Sequence, residues 1–264
     1  MYATDLADVA RAAGLHVTEV DGWKTRGHGG LDSVRGVVCH HTAGPSAAAS
    51  PGDFPSLRVV RDGRTSLSGP LCNFGLGRTG TVYVVAAGLA YHAGAVRIAS
   101  PPYANAFMLG IEAENDGVGE SWPQAQIDAY ARLCAALAVH YGFGLGRVLA
   151  HKEVCYPPGR KTDPNFDMDP FRRQVGLEIA HLQQPAHVPP PVTHNGYLLT
   201  RYLRAGLSGH DVAAWQRVVG AKDDGDFGPL TKAHTKDWQR AHHLAADGVV
   251  GPDCCRAAHW TWKG

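Results

Sequence analysis

Three consecutive prolines, Pro189 to Pro191, follow Pro185 in the segment QQPAHVPPPVTHNG at positions 183 to 196. Proline fixes φ near −65° and has no backbone N–H to donate, so such a run can be neither a helix interior nor a central strand. It reads as an extended, semi-rigid spacer. A spacer there splits the 264-residue chain into pieces that must each bury a core of their own. The expected organisation is a domain at 1–182, a linker at 183–197 and a small domain at 198–264.

Composition narrows the class. Gly and Pro number 32 and 17, well above average usage, which excludes a long-helix or coiled-coil protein. Hydrophobic residues at 44% and charged residues at 19% suffice for a folded core. With 25 basic and 24 acidic residues the net charge is +1, so the chain lacks the basic field that holds nucleic acid or an anionic membrane. No stretch approaches the roughly 18 consecutive apolar residues of a membrane span. The start, MYATDLADVARAAGLHV, reads as an amphipathic helix without a secretory signal, so synthesis in the cytosol is expected. Six cysteines form no CxxC pair and are expected to be buried, reduced thiols. Fifteen histidines are the anomaly: protonating all of them would take the charge from +1 to +16. Some are candidates for metal ligands or proton carriers.

In the first piece, GVVCHHTAG (36–44), TVYVVAAG (81–88), FMLGIEAEN (107–115) and VLAHKE (148–153) read as strands. PQAQIDAYARLCAALAVHYG (123–142) has the helical period, with a proline start and Gly142 as stop. Strands that end in ionisable residues suggest an α/β arrangement, a central, mostly β-sheet flanked by helices with a chemical site at one edge. His40 or His41, His151 and, twelve residues on, Asp163 would give two imidazoles and a carboxylate to a borderline-soft ion, with the fourth position open for water. An open position points to catalysis, and the absence of HExxH excludes a helix-borne zinc protease site.

The second piece repeats itself. Trp215-Gln216, Asp224-Gly225 and Gly228-Pro229 recur 23 residues later as Trp238-Gln239, Asp247-Gly248 and Gly251-Pro252. Each unit is a helical stretch followed by a DG turn, and with a final short helix the piece reads as a small all-α domain of three helices. The strings GHDVAAWQ, DGDFGPLT and ADGVVGP resemble the peptidoglycan-binding domain 1 family, with Cys254 where the family has its second Thr and Trp215 where it has the first Leu of its L-Q pair.

The ordered pieces VVCHHTAG, GRTGTVYVVAAG, YHAG, GIEAEN, AHKE and GRKTDP, spanning about 36 to 166, resemble the type 2 N-acetylmuramoyl-L-alanine amidase family, which shares its fold with peptidoglycan recognition proteins. The resemblance implies zinc held by His40, His151 and Asp163, with His41 and Cys155 as competitors for a ligand position. It implies Glu112 as catalytic acid or base and Lys161 facing the developing oxyanion. His92, Thr42, Asn73 and Asn115 would line the substrate groove. The partner implied is bacterial peptidoglycan, cut by a monomer without membrane insertion. With no signal peptide expected, the chain fits a bacteriophage endolysin, made in the host cytoplasm and acting on the wall after release. A non-catalytic peptidoglycan receptor on the same fold would lack a ligand, and a stem-peptide metallopeptidase would need a different scissile bond.

Overall fold

The computed structural model describes residues 1–183 and 197–264, which form two compact units, Met1–Leu182 and Gln183–Gly264. Of the spacer expected at 183–197, residues 184–196 lie outside the described residues, and Gln183 ends a helix.

The first unit runs α1 (Leu6–Ala12), β1 (Val17–Glu19), β2 (Val37–His41), α2 (Leu57–Asp62), β3 (Gly63–Arg64), β4 (Leu67–Ser68), β5 (Phe74–Leu76), β6 (Val82–Val84), β7 (Leu109–Ala113), α3 (Gln124–Tyr141), β8 (Val148–Ala150), α4 (His151–Val154) and α5 (Met168–Gln183). Six strands make one sheet in the order β1-β6-β5-β7-β2-β8, while β3 and β4 pair as a separate hairpin. β5, β7, β2 and β8 are mutually parallel, and β6 joins β5 antiparallel. The C-terminal ends of β7, β2 and β8 therefore lie side by side on one edge, as the ionisable strand ends suggested.

Alternation along the strands sets the layers. Val37 and Cys39 of β2, Leu109, Ile111 and Ala113 of β7, and Val148 and Ala150 of β8 join one core with α1, α3 and α5. Val38 of β2 packs on the opposite face with Met108 and Val154. α3 is buried around most of its middle, from Tyr130 to Ala138, as a helix pressed between sheet and neighbours must be. It stops at Gly142, whose φ of 71° is the left-handed C-cap that glycine adopts without strain.

Two sequence expectations change. The amphipathic start is helical only over Leu6–Ala12, and Val17–Glu19 goes to the sheet edge. The 148–153 strand ends at Ala150, because the Glu153 carboxylate accepts the Ala150 N–H at 2.8 Å and starts helix α4 at His151. Arg172 of α5 clamps the same carboxylate with two bonds of 2.9 Å.

The second unit contains α6 (His210–Val219), α7 (Pro229–Ala241) and α8 (Pro252–Ala257), plus a two-residue parallel pair, β9 (Leu198–Leu199) with β10 (Thr261–Trp262). The 23-residue repeat has a structural cause. Gln216 accepts the Gly225 N–H at 2.8 Å while its amide faces Asp224 Oδ1 and the Asp226 carbonyl, each at 2.9 Å. Gln239 does the same for Gly248, Asp247 and the Val249 carbonyl. Gly225 and Gly248 have φ of 79° and 75°, so each Gln is the side chain that closes a left-handed DG turn over a buried helix. Trp215, fully buried, donates to Thr235 Oγ1 at 2.9 Å and meets Trp238 and Trp260 edge to face.

Candidate active site

Register and alternation assemble the site. His40 of β2 pairs with Glu112 of β7, and Cys39 pairs with Ala150, so His151 follows in the same row. Because Cys39, Ile111 and Ala150 face the helical core, His40, Glu112 and His151 project from the other face. The same rule sends His41 away from the cluster, beside Trp122 at a ring-centroid distance of 6.5 Å.

Asp163 arrives on the loop before α5. Its carbonyl accepts the Lys152 N–H at 2.9 Å, and Lys152 Nζ holds the carbonyls of Pro164 and Phe166 at 2.7 and 2.8 Å. Lys152 is thus a support for this loop that motif reading passed over, although it lies beside His151 in AHKE.

Asp163 Oδ2 stands 2.9 Å from His40 Nδ1 and 3.1 Å from His151 Nδ1, and the two rings lie 4.5 Å apart at 73°. His40, His151 and Asp163 are all buried, each offering one ligand atom, all within 4.8 Å of one another. Two imidazole nitrogens and a carboxylate oxygen converging in this way match the donor set that zinc prefers. Burial brings His40 down to about 4, so it is a neutral, ligand-competent imidazole at neutral pH. Burial disfavours ionisation of Asp163, yet the adjoining imidazoles keep its carboxyl below the usual range.

Glu112 completes the row. One oxygen lies 3.9 Å from His40 Nδ1, and the other, Oε2, is buried with no hydrogen-bond partner. Burial pushes its carboxyl well above the usual carboxylate range, the charge of Asp163 adds to the rise, and Lys161 opposes it. Lys161 is close enough for its charge also to disfavour protonation of His40.

The other predicted residues sit elsewhere. Cys155 is buried with Sγ facing the carbonyls of Lys152 and Pro157 at 3.7 Å, and neither it nor His41 joins the cluster. Asn73, fully buried, donates to the carbonyls of Ala86 and Gly88 and accepts the Gly110 N–H. Asn115 accepts the Gly117 N–H and faces the Glu120 carbonyl. Both side chains are engaged by backbone, Asn73 by β7 and the 86–88 loop and Asn115 by the loop after β7. His92 is 7% exposed, with its Nδ1 3.2 Å from His40 Nε2. Thr42, partly exposed, donates to Glu114 Oε1 at 3.1 Å. Tyr130 of α3 was missed: its hydroxyl accepts the His40 N–H at 2.9 Å and faces the Ile111 carbonyl at 3.0 Å, locking β2 against β7 at the site row. A tyrosine within an ordinary helical period gives no sequence signal for such a role.

The N-acetylmuramoyl-L-alanine amidase family model matches residues 30–166, just over half of the chain. The chain belongs to this family. A peptidoglycan-binding domain model matches residues 209–257 of the amidase. Among solved structures, a mutant endolysin from Bacillus subtilis is 18% identical, with 61% of this chain and 99% of that one covered and a TM-score of 0.46. An endolysin N-acetylmuramoyl-L-alanine amidase, LysCS, from Clostridium intestinale is 20% identical, with 61% and 95% covered and a TM-score of 0.44. The N-acetylmuramyl-L-alanine amidase AmiD from E. coli, in complex with a muramyl-peptide substrate, is 19% identical, with 85% and 87% covered and a TM-score of 0.43. No curated protein matches the amidase.

Proposed function

We propose that this peptidoglycan amidase is zinc-dependent, that it cleaves the amide between the muramoyl lactyl group and L-alanine, and that it serves as a bacteriophage endolysin. The observation that carries the reading is the convergence of His40 Nδ1, His151 Nδ1 and Asp163 Oδ2 beside the unpartnered oxygen of Glu112. His40, His151 and Asp163 would hold the ion. Zinc supplies Lewis-acid activation of water and of the scissile carbonyl.

The remaining chemistry belongs to the chain. The Glu112 carboxylate, one oxygen of which lies 3.9 Å from His40 Nδ1, takes the proton of the attacking water and returns it to the leaving amine of L-alanine. Its raised carboxyl makes Glu112 a stronger base than an ordinary carboxylate, as a proton acceptor requires. Lys161 sets a positive charge against the oxyanion that develops as the carbonyl becomes tetrahedral. Asp163 stays ionised and would offset the charge of an ion held by His40, His151 and Asp163.

Peptidoglycan is insoluble and polymeric, so a second contact raises the local concentration of enzyme without improving the site itself. The amidase carries its peptidoglycan-binding unit in the same chain, and this pairing supports a lytic role at the wall. No helix among the described residues is long and apolar enough to cross a membrane.

The test is metal content after purification. His40→Ala, His151→Ala and Asp163→Ala should each lose zinc while circular dichroism stays that of a folded protein. Full zinc occupancy in a folded variant would remove that residue from the ligand set.

A further inference from the structure

The two histidines of the cluster can bind an ion through Nδ1 only if their protons sit on Nε2, and something must hold them there. Behind the site, His40 Nε2 stands 3.2 Å from His92 Nδ1, and His92 Nε2 stands 3.0 Å from the Met108 carbonyl. His151 Nε2 stands 2.9 Å from the Ala93 carbonyl. Resting on the reading of this cluster as a metal site, we propose that the segment His92–Ala93 fixes the proton positions of both histidine ligands, and that His92 is a positioning residue for the ion.

With a cation at the cluster, where Nδ1 of His40 and of His151 must both be lone pairs facing Asp163, the proton accounting leaves one arrangement. A carbonyl only accepts, so His92 must carry its proton on Nε2 to bond Met108. Its Nδ1 is then a lone pair and accepts, so His40 must donate from Nε2, leaving His40 Nδ1 as a lone pair facing Asp163. The Ala93 carbonyl imposes the same tautomer on His151. One side chain and one carbonyl from adjacent residues thereby aim two lone pairs at a common point, where a carboxylate oxygen waits. A ligand whose far nitrogen is held in this way is more basic and loses less freedom on binding.

The surroundings are built around this chain. Asn105 Oδ1 accepts the N–H of both His92, at 3.3 Å, and Ala93, at 2.9 Å, tying the segment to a single support. On β7, a Cβ at position 110 would stand 2.5 Å from His92 Cγ, so only glycine there admits the imidazole. His92 has both nitrogens committed inside the protein and none left for substrate.

The experiment uses the zinc-loaded full chain. Long-range proton–nitrogen NMR of the imidazoles should show Nε2–H on His40, His92 and His151. A Nδ1–H signal on His92, or coordination of His40 through Nε2, overturns the proposal without any variant. Zinc affinity measured by chelator competition should fall ~10- to 100-fold in His92→Leu, which removes donor and acceptor together. It should recover most of that loss in His92→Gln, whose amide can still accept and donate. Gly110→Ala, which displaces the ring without touching a ligand, should weaken affinity in the same direction. Unchanged zinc affinity in His92→Leu overturns the role of His92, whereas failure of the unsubstituted chain to bind zinc overturns the metal reading itself.

Discussion

Replacing Glu112 by Gln should move stability and activity in opposite directions. The side chain is 16% exposed, and Oε2 is buried with no partner, so the fold draws no hydrogen bond from that oxygen. Burying a polar atom unpaired costs about 1–3 kcal/mol, and more when the group is charged. The sign with pH follows from the direction of its shift. A carboxyl raised above the ordinary 4.5 contributes stability that is fully present below that value and is lost as pH rises through the folded-state value. For metal-stripped protein, Glu112→Gln should therefore match the unsubstituted chain near about pH 4 and exceed it by about 1 kcal/mol or more near about pH 8. Turnover by the zinc-loaded variant should fall ~10²- to 10⁴-fold, about 3–5 kcal/mol of lost transition-state stabilisation, with zinc content unchanged. Urea unfolding at the two pH values and release of soluble fragments from purified sacculi measure both sides. A variant that is less stable near neutral pH, or that keeps more than about a tenth of its turnover, refutes the assignment of Glu112 as the proton carrier.

Lys152→Met removes both bonds that hold the carbonyls of Pro164 and Phe166, so zinc affinity should drop about 10-fold by chelator competition while the far-ultraviolet spectrum stays native. Gln216→Ala and Gln239→Ala each open a DG turn and should each destabilise the C-terminal unit by about 2–3 kcal/mol in urea titration, with little effect on cleavage of a soluble muramyl peptide. Removing residues 183–264 should lower activity on sacculi ~10²-fold or more and leave activity on a soluble muramyl peptide within about twofold, by comparison of the two rates.

Much of this was legible because the informative residues stand at strand ends. Val37, Val38 and Cys39 announce a buried strand, and the polar residues after it must then emerge at an edge. Choosing between His40 and His41 required the face of the sheet, which depends on which of Val38 and Cys39 meets the helices, a fact that a uniformly apolar run conceals. Strands β1 and β5, of three residues each, are too short to show a period. Helix α5 carries its period openly in Phe171, Val175, Ile179 and Leu182, and nothing physical hid it. Asn73 and Asn115 look like binding residues because amides suit sugars and peptides, yet the same donors and acceptors complete loop backbone, and sequence does not distinguish the two uses. The repeat in the second unit was visible as a pattern, but its cause, a glutamine closing a glycine turn, needed the positions of both groups. The supporting shell, His92, Lys152 and Tyr130, is the least visible layer, since it acts through residues far away in the chain.

The most direct test is the chemistry of the new chain ends. Purified sacculi digested with the zinc-loaded enzyme should gain free amino-terminal L-alanine in step with clearing, with no gain in reducing sugars. New reducing ends, or new amino termini other than L-alanine, would contradict the assignment of the muramoyl–L-alanine amide as the bond that His40, His151, Asp163 and Glu112 are arranged to cut.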